Sequence, residues 1–264
     1  VRHRKNGCTG FAEKSQLLPV LNSVLHNAES KALRCVDSTS ALAYKAATRA
    51  ERSDFFMSYH WPTVTDWLSQ IASPFYQQGY VVLEQAIPAE LCWALYQDVQ
   101  QHALKAAGVG RQAQHQLDQQ VRRDQTYWLD PQNPVQQQYL ALMAQLQQDM
   151  NQRCFLGLID FEAHYARYQQ GDFYQKHLDA FVGRSNRVLS TVCYLNTPAQ
   201  GGELLIYDEQ DQLIAQVQPK AGTLVIFESC RFPHEVLPAA EPRYSIAGWF
   251  RHNSSIQGRI DPAL

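Results

Sequence analysis

Apolar positions along this chain recur with two different periods, and the change of period separates helices from strands. Between Trp61 and Gln78, Trp67, Leu68, Ile71 and Phe75 recur at helical spacing, which predicts an amphipathic helix interrupted at Ser73-Pro74. A second helix is predicted after Ile87-Pro88, with proline at its first turn and Leu91, Leu95, Val99 and Leu104 along one face. The third runs from Pro134 to Cys154, where Tyr139, Leu140, Leu142, Met143, Leu146 and Met150 form the apolar stripe and glutamines the wet face. Ala107 to Gln120, rich in glycine and glutamine, reads as an exposed loop, and the remaining apolar stretches after Gln78 have period two or are short runs. Gly79 to Ala86, Leu158 to Tyr168, Arg187 to Leu195, Glu203 to Tyr207, Leu213 to Val217, Thr223 to Phe227 and Pro242 to Phe250 read as strands. Turn residues such as Gly201-Gly202 and Pro219 to Gly222 separate them. Short strands at turn-punctuated intervals, with helices at the flanks, predict a mainly β (α+β) fold with a double-stranded β-helix, or jelly roll, at its core.

The stretch before about Asp54 behaves differently. It carries Arg2, Arg4 and Lys5, a Gly7 to Gly10 turn and two weak helical patterns, Leu17 to Leu25 and Ala41 to Arg49, with no strand alternation. The first methionine is Met57. Residues 1–56 are therefore expected to be a poorly ordered extension, either upstream of a chain that starts at Met57 or an authentic flexible arm. Residues 57–254 are expected to form the folded domain, and 255–264 a tail.

Composition narrows the function classes. At 264 residues, 45% hydrophobic and 18% charged, the chain has the material for one β-rich domain. Its net charge of −2 gives no general basic footprint for nucleic acid or an anionic membrane surface. Cys8, Cys35, Cys92, Cys154, Cys193 and Cys230 are scattered, with no Cys-X-X-Cys pair, which predicts reduced thiols. Cys193 and Cys230 are expected to be small core residues. No run approaches the ~20 apolar residues of a membrane span, so a soluble, cytoplasmic protein is expected.

Candidate chemistry concentrates between Tyr168 and Asp179. On an extended backbone, His177 and Asp179 project to the same face, since strand side chains alternate. Alone, such a pair could equally be a polar strand end. His234, in Arg231-Phe232-Pro233-His234, can reach the pair from another strand of the same sheet system. Two imidazoles and one carboxylate with open positions are the ligand set of non-heme Fe(II) oxygenases. Nine residues later Arg243 opens an alternating strand, and a planar guanidinium suits two-point capture of a carboxylate. His164 does not share the ligand spacing and reads as a satisfied core or surface histidine.

At these residues the chain resembles the Fe(II)/2-oxoglutarate-dependent prolyl 4-hydroxylases, in the branch that holds the hypoxia-sensing enzymes and their bacterial relatives. The likeness runs from Gly79 to Phe250 through ordered motifs: Tyr168, Gly171, Tyr174 and His177-Leu178-Asp179, then Tyr194-Leu195-Asn196 and Gly201-Gly202. It ends in His234-Glu235-Val236, Pro238-Ala239, Arg243-Tyr244 and Trp249. The resemblance implies that His177, Asp179 and His234 hold iron and that Arg243 and Tyr194 bind the distal carboxylate of 2-oxoglutarate. It places Tyr168 in the co-substrate pocket, Tyr174 beside the metal and Trp249 in the pocket wall. Arg187 matches a family arginine at the substrate entrance, its competing reading being a solvated loop charge.

Arg122, Asp124 and Trp128 match an Arg-X-Asp-X-X-X-Trp pattern beside a mobile loop that folds over bound peptide. They are expected to belong to a substrate lid, against a solvated hairpin with a buried tryptophan. More distant relatives use a lysine for the co-substrate carboxylate, but Lys220 precedes His234 and reads as a turn residue. Asp179 argues against the halogenating relatives, which lack that ligand. The resemblance thus implies O2-dependent hydroxylation of a peptidyl proline in a cytoplasmic protein, with elongation factor Tu as a target and ascorbate as an accessory reductant. The same chemistry on a free amino acid or small metabolite, or a non-catalytic metal-binding oxygen-sensing module, are the competing outcomes.

Overall fold

The computed structural model describes residues 65–108, 118–180 and 186–252. The expected extension, Met57, the C-terminal tail, Cys8, Cys35 and most of the loop after Ala107 lie outside the described residues.

Helix α1, Thr65–Gln78, contains Pro74 without interruption, so the break expected at Ser73-Pro74 does not occur. Proline costs the helix one N–H bond, and burial of Leu68, Ile71 and Phe75 on one side offsets it. Gly79, at φ 80°, then ends the helix. Helix α2, Ala89–Val99, stops short of Leu104, which still packs against the core from the following loop. Helix α3, Pro134–Cys154, has the predicted boundaries. Asn133 Oδ1 accepts from the Val135 and Gln136 N–H groups at 3.0 and 3.2 Å, and Pro134 sits where a missing N–H does no harm.

Eleven strands are described: β1 Tyr80–Leu83, β2 Lys105–Ala106, β3 Gln125–Trp128, β4 Asp160–Tyr168, β5 Tyr174–His177 and β6 Arg187–Tyr194. They continue as β7 Leu204–Tyr207, β8 Leu213–Val217, β9 Leu224–Glu228, β10 His234–Val236 and β11 Arg243–Arg251. A seven-stranded sheet has the order β1-β9-β6-β11-β4-β3-β2, and a four-stranded sheet the order β5-β10-β7-β8. Every pairing is antiparallel.

Period-two alternation gives the large sheet two apolar faces. Tyr165, Leu189, Cys193, Leu224, Ile226, Ile246 and Phe250 pack with Leu91, Leu95, Leu142 and Leu146 of the helices. The alternate residues Ala166, Tyr168, Tyr194, Val225 and Phe227 pack with Leu204, Ile206, Val217 and Val236 of the small sheet. This is why β9 reads as a continuous apolar run rather than an alternating one. The run ends before the turn that follows, and Cys230 on that turn is exposed, not a core residue as expected. Cys193 is buried as expected. No helix among the described residues is long and apolar enough to cross a membrane.

Candidate active site

The small sheet brings the two candidate histidines together. His177, the last residue of β5, pairs directly opposite His234, the first residue of β10. Asp179 lies two residues beyond the end of β5, in a bend, so its approach is set by the turn and not by strand alternation. His177 Nε2 lies 3.7 Å from Asp179 Oδ1, and His234 Nε2 lies 3.6 Å from Asp179 Oδ2. The three ligand atoms all fall within 4.8 Å of one another. Adjacent ligands on a metal with ~2.1 Å bonds stand ~3 Å apart, so small side-chain rotations suffice to bind an ion.

Backbone carbonyls decide which imidazole nitrogen is offered. His177 Nδ1 is 2.7 Å from the Gln175 carbonyl and His234 Nδ1 is 3.0 Å from the Phe232 carbonyl. A carbonyl only accepts, so both Nδ1 atoms carry the proton and both Nε2 lone pairs face the centre. Burial and the neighbouring His177 push His234 down to about 4, against the pull of Asp179. Burial raises the Asp179 carboxyl, but His234, His177 and Arg187 together outweigh it and hold it well below the usual range. His234 therefore rests as a neutral imidazole and Asp179 as a carboxylate, the protonation states that a divalent cation requires of them.

Arg243 forms a second feature, on the large sheet across from the one that carries the histidines. It opens β11 opposite Tyr168 of β4 and is 1% exposed. Its guanidinium lies 4.8 Å from the Tyr168 ring and 4.9 Å from the Tyr194 ring. Among the described residues its Nε and Nη1 meet no hydrogen-bond acceptor, and Trp249 Nε1 has no partner. Gly202, at φ 78°, passes so close that a Cβ there would stand 3.1 Å from Arg243 Cδ. A buried cation without a counter-charge is costly, so this cradle fits an anionic ligand. Two imidazoles and a carboxylate that could hold a metal ion, with a buried guanidinium on the facing sheet, together suit iron and 2-oxoglutarate.

The entrance residues are more tied down than their sequence suggests. Arg187 opens β6, donates to Glu162 Oε1 at 2.9 Å and stacks 3.8 Å from the Trp249 ring, so it is no solvated loop charge. Strict alternation from Ser190 would turn Arg187 to the helix side. A bulge between Phe250 and Arg251 brings it opposite Arg251 instead, on the site face. Arg122 forms a two-point pair with the buried Asp124 at 2.7 and 2.6 Å. Its guanidinium also lies 4.3 Å from the Tyr174 ring, which stacks at 3.6 Å on His177. Arg122 and Asp124 thus support the wall behind a ligand. Trp128 is 42% exposed, beside His164 and Trp249, which excludes the buried-tryptophan alternative.

Comparison with known proteins agrees with this geometry. Residues 163–251 match the 2OG-Fe(II) oxygenase superfamily. The chain is 37% identical to a Pseudomonas putida prolyl-4-hydroxylase, covering 71% of its own length and 100% of that chain with a TM-score of 0.64. The chain belongs to the prolyl hydroxylase family of 2OG-Fe(II) oxygenases. It is also 31% identical over 142 residues to Egl nine homolog 1 of Mus musculus, covering 49% of this chain and 35% of that one. With the hypoxia-inducible factor prolyl hydroxylase of Caenorhabditis elegans it shares 35% identity over 89 residues, 32% of this chain and 12% of that one. The chain thus spans about a third or less of these two curated relatives. A Trichoplax adhaerens prolyl hydroxylase, solved with a hypoxia inducible factor oxygen degradation domain peptide, shares the fold at a TM-score of 0.64 and 21% identity, covering 75% of this chain and 96% of that one.

Within this member of the prolyl hydroxylase family, several site residues escaped sequence reasoning. Ser190 Oγ lies 2.6 Å from Asp179 Oδ2 and 2.9 Å from Ser229 Oγ. Glu162 joins Arg187 to the buried Arg251, whose Nη1 lies 2.8 Å from Glu162 Oε2 and which also pairs with Asp160. Period-two phase with Tyr194 was the available signal for Ser190; for the acidic pair there was none. His164 is buried outside the trio, and burial lowers it to about 4. Lys220 pairs with Glu84 at 2.7 Å on the surface, as a turn residue.

Proposed function

We propose that this chain is an Fe(II)- and 2-oxoglutarate-dependent dioxygenase that hydroxylates a peptidyl proline of a cytoplasmic protein, releasing succinate and CO2. The observation that carries the reading is the buried Arg243 guanidinium, whose Nε and Nη1 meet no acceptor among the described residues, on the sheet that faces the one carrying His177 and His234. His177 Nε2, His234 Nε2 and Asp179 would hold the iron; Arg243, with Tyr194 and Tyr168 around it, would hold the distal carboxylate of the co-substrate. The bound iron and 2-oxoglutarate supply the O2-dependent oxidation of an unactivated C–H bond. The chain contributes orientation and dryness. Its two carbonyl-tied imidazoles present fixed lone pairs, and Tyr174 packs over His177 to limit water.

At the mouth, Trp249 and the half-exposed Trp128 offer flat apolar surface to a pyrrolidine ring. Arg187 is spread over Trp249 with its charge balanced by Glu162. Such a mouth supports a peptide segment over a free amino acid, whose charges would need partners of their own. Among cytoplasmic proteins, elongation factor Tu is the first candidate, with ascorbate serving to keep the iron reduced.

The full chain, supplied with Fe(II), 2-oxoglutarate and O2, is expected to release succinate in step with a mass gain of one oxygen atom on a proline of the target. His177→Ala should abolish both. Succinate release driven only by a free amino acid would replace the peptide reading, and native turnover in His177→Ala would overturn the ligand assignment.

A further inference from the structure

We propose that Ser190, backed by Ser229, is a positioning residue that confines Asp179 to binding the metal through one oxygen, so that the remaining positions stay open for the co-substrates. This rests on the iron reading above and adds a device that sets the geometry of the iron's carboxylate ligand. Ser190 lies on the site face of β6, opposite Trp249 of β11 and Phe227 of β9, and is fully buried, as is Ser229. Each hydroxyl carries one proton, and an ionised carboxylate can only accept. At 2.6 Å, Ser190 therefore gives its proton to Asp179 Oδ2, and the 2.9 Å contact with Ser229 is completed by the Ser229 proton. The relay has a single sense, Ser229 to Ser190 to Asp179.

The turn after β9 holds the start of this relay rigidly. The Ser229 N–H donates to the Val188 carbonyl at 2.9 Å, and the Ser229 carbonyl accepts from the Ala180 N–H at 3.1 Å. Ala180 follows Asp179 directly, so one turn fixes both the backbone after the carboxylate and the hydroxyl behind it. Both carboxylate oxygens stand near a ligand nitrogen, Oδ1 3.7 Å from His177 Nε2 and Oδ2 3.6 Å from His234 Nε2, and the short charge-assisted bond from Ser190 engages Oδ2. Were both oxygens to ligate, the carboxylate would occupy a position that the facial arrangement leaves open. The short bond from Ser190 opposes that rearrangement.

The test uses the full chain saturated with Mn(II) in the absence of O2, and three variants: Ser190→Ala, Ser190→Thr and Ser229→Ala. Water-proton relaxivity reads the exchangeable waters on the metal, and calorimetry reads 2-oxoglutarate affinity. Ser190→Ala is expected to lose one exchangeable water and to bind 2-oxoglutarate roughly tenfold or more weakly, the scale of lost outer-shell contacts to a metal site. Ser190→Thr, which keeps the hydroxyl, should restore both, and Ser229→Ala should shift both in the same direction by less. An unchanged water count and affinity in Ser190→Ala would overturn the proposal. If Ser190→Ala does not fold, Ser229→Ala decides: weaker 2-oxoglutarate binding supports the relay and parental binding refutes it. A parent chain that takes up no Mn(II) would remove the iron reading itself, a different failure from a parent that binds and a variant that does not change.

Discussion

The two ends of β11 carry the same residue in opposite circumstances. Arg243 and Arg251 are both 1% exposed and both lie on the site face of one strand. Arg251 is enclosed by Asp160 and Glu162, and Glu162 also takes the charge of Arg187. Among the described residues Arg243 has two aromatic rings beside it, no ion pair, and two nitrogens without acceptors. A folded chain can bury a cation at modest net cost when carboxylates come with it. Where they do not, the charge is held for something the chain does not contain. On the function proposed above, the first end of the strand serves the ligand and the second the fold.

Removing Arg251 should give the largest loss of stability. Arg251→Met leaves Glu162 and Asp160 partly uncompensated in a buried setting, and urea unfolding is expected to show destabilisation of about 3–5 kcal/mol. A loss below about 1 kcal/mol would mean that this end is no more structural than the other. Next comes acid. His164 is buried and its folded value is lowered from 6.5 to about 4. The unfolded chain therefore takes up a proton there at a higher pH than the folded one does. Its contribution is fully present above about 6.5 and is lost as pH falls from there toward 4, on the order of 3 kcal/mol at most. Unfolding free energies across that window should slope less in His164→Asn than in the parent. The smallest effect belongs to the exposed Lys220–Glu84 pair: Lys220→Ala should change stability by no more than about 0.5 kcal/mol and leave 2-oxoglutarate binding untouched.

How much of this the sequence carried depends on whether local signals or tertiary ones set each feature. Helix α3 was legible to its ends because Asn133 and Pro134 form a start signal and the apolar stripe runs unbroken to Met150. The strand that carries Arg243 was legible from turns and alternation, whereas β10, three residues long, shows no such pattern around His234. Pro74 misled because its local cost is real, while the burial of Ile71 and Phe75 that offsets it is tertiary. Cys230 misled because it follows an apolar run that ends one turn earlier. Arg187 was matched by its motif, but its facing was not readable, since a bulge shifts its phase by one residue. Arg251 lay just past the predicted strand end, and its partners Asp160 and Glu162 come from β4, some ninety residues earlier. The relay behind Asp179 joins two serines 39 residues apart, which only the paired sheets bring together.

The most direct measurement is calorimetric binding of 2-oxoglutarate to the Mn(II)-loaded full chain and to Arg243→Met, without O2, with the melting temperature of each recorded in the absence of 2-oxoglutarate. If Arg243 is held for the co-substrate carboxylate, the variant should lose roughly a hundredfold in affinity, the scale of a buried charge pair cut on one side. Its melting temperature should stay at or above that of the parent, since an unpaired buried charge has been removed. Parental affinity in Arg243→Met, or a fall in melting temperature like that of Arg251→Met, would contradict the assignment.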